Sequence, residues 1–169
     1  MLNNIEKELK KSGLVILDAH VHPLDILLTA RHLHKNFQVK INMAIVGYAF
    51  HVPIMKQVVN WFGRTYKINF LPVYRKEELA PKDLALKFFC SFYPKEIDLE
   101  TRRQANRRFI QTATMLCQKP GEVVIIAPYG STVLFGQKVR NGVKKILLQN
   151  SLYLTSITRW HFPKMKFKT

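Results

Sequence analysis

His20 and Asp25 stand five positions apart, with Pro23 between them. A proline removes a backbone donor and restricts the residue before it, so no single helix or strand is expected to carry both side chains. A turn can bring a carboxylate back to an imidazole across that spacing. The carboxylate then holds one ring nitrogen by a hydrogen bond and leaves the other free as a base. Two further places put chemistry-bearing groups just after an apolar run. Arg75 follows Ile68 to Tyr74, and Pro128-Tyr129-Gly130-Ser131-Thr132 follows Val123 to Ala127. An arginine fork and the backbone N–H groups of a glycine turn both suit an anion.

The elements that must position these groups follow from apolar patterning. Leu14 to Leu17, Val39 to Val46, Ile68 to Tyr74, Val123 to Ala127 and Leu152 to Ile157 read as strands, most of them apolar throughout. Between them lie helical patterns. One centres on Ile5 and Leu9 and ends at Gly13. Another opens at Pro23 and runs to about His34. A third spans Pro53 to Phe62, with Ile54, Val58, Trp61 and Phe62 on one face and Gly63 closing it. Asp98 is the expected N-cap of a helix from Leu99 to about Gln118. Its inner stripe is Phe109, Ala113, Leu116 and Cys117, with Arg102, Arg103, Arg107 and Arg108 away from it. Val139 to Leu148 forms the last helix, and 76–100 is the least regular part. Strands alternating with helices, and strands without a polar face, predict an α/β fold: a single domain over 1–169 with a largely parallel, mixed sheet covered by helices. In such sheets ligands sit beyond the carboxyl ends of the strands. His20, Arg75 and the 130–132 loop therefore converge on one edge if the strands are parallel.

Composition narrows the setting. The chain has 169 residues and 47% apolar content, enough for one core and too much for a disordered chain. Its net charge of +16 calls for an anionic partner: nucleic acid, a membrane surface or an acidic substrate. No acid follows Glu122, whereas Lys138, Arg140, Lys144, Lys145 and further cations do. Cys90 and Cys117 lack metal-ligand spacing and are flanked by apolar residues, so they read as buried free thiols of a reducing compartment. The amino terminus lacks the apolar core of a signal peptide, and no apolar run reaches the ~18 residues of a spanning helix. The oily stretch from Ile41 to Trp61 is a core segment or one that dips into a membrane surface.

Taken in order, His20/Asp25, the strand ending in Tyr74-Arg75 and the glycine-hydroxyl loop resemble the glycerolipid acyltransferase family, whose members acylate glycerol phosphate and lysophosphatidic acid. The first family motif, H-x-x-x-x-D, is matched by His20 and Asp25. The second is a strand ending in arginine, matched by Phe70-Leu71-Pro72-Val73-Tyr74-Arg75. The third, F-P-E-G-T-R, aligns with Ala127-Pro128-Tyr129-Gly130-Ser131-Thr132. The likeness covers roughly Leu14 to Ile157 and implies a glycerol-phosphate acyltransferase-like fold. It implies His20 as general base, Asp25 as its orienting partner, and Arg75, Gly130, Ser131, Thr132 and Lys138 around the acceptor. The donor implied is an acyl thioester, on CoA or acyl carrier protein, with no cofactor and no metal. The acceptor is a lipid hydroxyl, as in phospholipid biosynthesis, at the cytoplasmic side of an anionic membrane. The chain departs from the family at Tyr129, where Glu is usual, at Thr132, where an Arg holds the acceptor's phosphate, and in a fourth motif without its proline. A charge is thus lost from the acceptor site: either Arg64, Lys138 or Arg140 replaces it, or the acceptor is not the usual phosphate, or the chain is a catalytically weak, degenerate member that binds anionic lipid without turnover.

Two other readings compete. Asp18-Ala19-His20-Val21-His22-Pro23 matches the H-x-H that ends the first strand of metal-dependent amidohydrolase barrels. That barrel needs ~250 residues and a late acidic ligand, which this sequence lacks. The charge and the arginine-rich helix would suit nucleic acid. The aromatics, however, lie within apolar runs rather than among the cations, so no nucleic-acid partner is expected.

Overall fold

The computed structural model describes residues 9–18, 25–37, 39–75, 78, 81–82, 84–127, 139–149 and 153–156. In chain order these form β1 (Leu14–Asp18), α1 (Asp25–Phe37), β2 (Lys40–Val46), a short 3₁₀ turn (Gly47–Phe50), α2 (Pro53–Tyr66) and β3 (Ile68–Val73). They continue through α3 (Leu84–Cys90), α4 (Leu99–Leu116), β4 (Glu122–Ile126), α5 (Asn141–Leu148) and β5 (Tyr153–Ser156). The five strands make one sheet in the order β3-β2-β4-β1-β5. Every pairing among them is parallel, so the expected mixed character is absent from the described strands. The result is a small α/β domain.

Uniformly apolar strands produce this arrangement because alternate side chains must be buried on opposite faces. Leu14, Ile16, Ile41, Met43, Val123 and Ile125 pack beneath Ile26, Leu27, Ala30 and Leu33 of α1, with Phe62 and Tyr66 of α2 alongside. Val15, Leu17, Val124 and Ile126 face the other way. There they meet Phe109, Ala113 and Cys117 of α4 and Val143 and Ile146 of α5. Cys117 is buried as expected, and burial pushes its thiol up to about 12. Cys90 is only half-buried, its thiol raised by burial and by Glu78. Asp98 caps α4, its carboxylate accepting from the Thr101 N–H at 2.7 Å.

Besides α1, which runs to Phe37 rather than about His34, the helices differ from expectation at three places. First, α2 does not end at Gly63 but continues to Tyr66, closing on Lys67 in the left-handed conformation (φ 51°). Gly63 lies where the helix presses on β3: a Cβ there would stand 3.2 Å from the Ile68 carbonyl oxygen and 3.5 Å from the Phe70 ring. Its role is close approach rather than termination. Second, the row of α2 packed on the sheet is Val59, which is buried, with Phe62 and Tyr66, which are partly so, while Ile54, Val58 and Trp61 stay exposed, the first two beside the sheet's carboxyl edge. The helix is thus rotated by about one residue, ~100°, from the expected orientation. Third, α3 forms within the irregular part, with none of its residues buried.

A polar ladder fixes strand register near the amino ends. Asn42, buried on β2, donates to the Glu122 carboxylate of β4 at 2.8 Å and accepts from Asn69 of β3 at 2.9 Å. Asn42→Ala deprives both partners at once. It is expected to lower unfolding free energy by about 1–3 kcal/mol in urea melts.

Candidate functional site

All five strands are parallel, so their carboxyl ends lie at one edge of the sheet. The chain leaves β2 for α2 on one face, whereas it leaves the neighbouring strands β3 and β4 for α4 and α5 on the other. Where adjacent connections part in this way, the edge is left uncovered. A cavity of about 740 Å³ occupies that gap. Its volume lies in the small-molecule range of roughly 300–1,000 Å³. Its walls are mainly apolar, from Ile26 and Leu27 of α1, Val58 and Val59 of α2, and Phe109 and Ile110 of α4. The polar side chains along it, among the described residues, are Tyr48, Tyr74, Arg75, Asn106 and Arg140.

The rim at β3 is built around a buried carboxylate. Glu78 is fully buried, and its Oε1 accepts from Arg75 Nε at 3.0 Å and from the Arg75 backbone N–H at 3.3 Å. Its Oε2 accepts from the Tyr93 hydroxyl. Burial, and then Glu78, push the Tyr93 phenol far above its ordinary range. Arg102 holds the same turn from α4, donating to the Glu78 carbonyl at 2.8 Å and lying 4.3 Å over the Tyr93 ring. Arg75 also donates to the Tyr48 hydroxyl at 3.4 Å. Burial raises the Tyr48 phenol, and Arg75 pulls it the other way. Asn106 of α4 accepts from the Tyr74 N–H at 2.8 Å and donates to the Tyr74 carbonyl at 2.7 Å, continuing the backbone pairing past the end of β3. Gly47 lies directly under the Tyr74 ring, where any side chain would collide.

An arginine at such an edge is costly to desolvate unless an anion or open solvent lies beside it. Arg75 has both, since Glu78 supplies the anion and the side chain retains 20% exposure at the cavity. Asp18 ends β1 at this edge, fully buried, and Asp25 opens α1. His20, Gly130, Ser131, Thr132 and Lys138 lie outside the described residues. Of the cations proposed to replace the missing charge, Arg140 lines the cavity. Arg64 is exposed in the last turn of α2, away from the described lining. Arg102 stands off the inner stripe of α4 as expected, yet it is engaged rather than solvated. Glu78, Tyr93, Tyr48 and Asn106 were missed. The one available signal was Glu78 three positions after Arg75, a spacing that pairs charges on a single turn. No protein-family model and no curated protein sequence matches the chain.

Removing Arg75 would strand a buried carboxylate. Arg75→Met is expected to cost about 3 kcal/mol or more in denaturant melts, well beyond an exposed ion pair. His51, 5.2 Å from the Tyr93 ring, is held below its ordinary value, first by burial and then by Lys56 and Arg102. Its neutral form is therefore favoured by folding. That contribution is present above pH ~6.5 and is lost as pH falls through the folded value. The melting temperature should drop on acidification below pH ~6.5, and His51→Gln should flatten that drop.

Proposed function

We propose that the chain is an acyltransferase of the glycerolipid type, moving a fatty acyl group from a thioester carrier to a lipid hydroxyl. The carrying observation is the apolar cavity at the carboxyl edge of the sheet, with Arg75 at its rim and Ile26 and Leu27, from the first turn of α1, in its wall. An acyl chain needs an apolar space of this size, and an anionic or polar head group needs a cation at its mouth. In this reading His20 takes the acceptor's hydroxyl proton as the oxygen attacks the thioester carbonyl. Asp25 holds the imidazole tautomer and stabilises its charged form. The 130–132 loop, with Lys138 and Arg140, contributes to the head-group site. The protein works at the surface of an anionic membrane, on its cytoplasmic side. No helix among the described residues is long and apolar enough to cross a bilayer.

One observation favours a second reading, a lipid binder without turnover. Glu78 already neutralises Arg75, which weakens its pull on a phosphate. The two readings separate in an assay with acyl-CoA and acyl-carrier-protein donors and a panel of lysolipid, glycerol-phosphate and neutral acceptors. Acyl transfer is expected to fall by about 100- to 10,000-fold in His20→Ala. Turnover untouched by that change removes His20 as the base. Lipid retention with no turnover on any acceptor selects the binder.

A further inference from the structure

The solvent side of the α1–α2 layer combines exposed apolar side chains with cations. Ile54 is 75% exposed, Trp61 56%, Leu28 50% and Val58 39%. Ile54, Val58 and Trp61 follow at helical spacing and form one ridge along α2. Arg31 and Lys35 of α1 and Arg64 of α2 are exposed on the same pair of helices, whereas Lys56 lies about 160° round α2 from Ile54 and Val58. Arg31 lies 5.9 Å over the Tyr66 ring, which stands 6.2 Å from Trp61, so this cation of α1 adjoins the aromatic end of the ridge. Apart from Asp25 at the first position of α1, neither helix contains an acid.

We infer that this face lies against an anionic lipid bilayer, the Ile54–Val58–Trp61 ridge entering the acyl region and Arg31, Lys35 and Arg64 sitting at head-group level. An apolar ridge with cations around it and an indole at one end has the chemistry of an interfacial surface. A second copy of the chain fits poorly, because symmetric pairing would bring these cations together in a molecule of net charge +16. Ile54 and Val58 also line the cavity, so the ridge is one of its walls. An acyl chain leaving the bilayer would meet apolar side chains along its whole path. The role given to the cavity rests on the acyltransferase reading; the docking face itself does not.

The test uses the full chain carrying Trp160→Phe, which leaves Trp61 as the one indole of the two in the sequence. Vesicles of phosphatidylcholine, with and without phosphatidylglycerol, are added, and brominated acyl chains report depth. Trp61 emission should shift to the blue and be quenched with anionic vesicles, and high salt should reverse both. Ile54→Ser with Val58→Ser should weaken partitioning at least roughly tenfold, and Lys35→Glu with Arg64→Glu by roughly an order of magnitude or more. The charge reversals touch no packed residue, so they carry the test if the ridge variants fold poorly. Phe88→Ser, an exposed aromatic on α3, should change nothing. Vesicle binding without a change at Trp61, loss of binding in Phe88→Ser alone, self-association that buries Trp61, or no partitioning into anionic vesicles would each overturn the inference. No acyl donor is present, so an absence of acyl transfer leaves this result intact, while a failure here leaves turnover on soluble short-chain substrates to be judged separately.

Discussion

A sheet buried on both faces fixes nearly everything else in this molecule. Strands such as Val123-Val124-Ile125-Ile126 have no polar side to offer water, so helices must cover each face. Parallel neighbours can be joined only by crossovers, and the crossovers are those helices. All strands then end at the same edge. Around β2 the departures go to opposite faces, and the space between them becomes the cavity. The cavity is thus a consequence of topology, before any particular lining residue is chosen.

The Arg75–Glu78 pair shows how that edge is held. The chain has 27 basic residues against 11 acids, so complete burial of one acid beside an arginine at the carboxyl edge of the sheet is informative. Desolvating a carboxylate costs several kcal/mol unless its oxygens are occupied. Here Arg75 and Tyr93 occupy them, while Arg102 fixes the backbone of the same residue from α4. The pair orients the Arg75 guanidinium along the rim and joins β3 to the aromatic turn after α3. A bound anion at that rim would compete with Glu78 rather than meet an isolated cation.

Much of the fold was legible because its strands are mostly apolar on both faces and alternate with helical patterns, one of them capped at Asp98. What the sequence concealed has physical causes. In α2 two apolar rows lie one residue apart, Ile54/Val58/Trp61 and Val59/Phe62/Tyr66, and periodicity alone cannot say which is buried. Gly63 looked like a stop because close packing on β3 leaves no sequence mark distinct from a helix end. Arg75 was placed at the rim from its position after a strand. Its carboxylate partner was not, since the pair depends on how the turn closes and on Tyr93, eighteen positions downstream. The cavity could not be read because it arises from connections parting rather than from any motif. His20 and the 130–132 loop lie outside the described residues, so their reading still rests on motif order.

One detail of β3 bears on how the protein behaves in company. It is an outer strand of the sheet, with β2 on one side only. Such a margin presents unpaired backbone groups and can recruit a strand from another molecule. Here Pro72 has no N–H to offer, and two residues on, the Asn106 amide occupies both backbone groups of Tyr74. The last part of this margin is therefore closed to intermolecular β-pairing, a safeguard against aggregation in a chain whose strands are oily enough to need one.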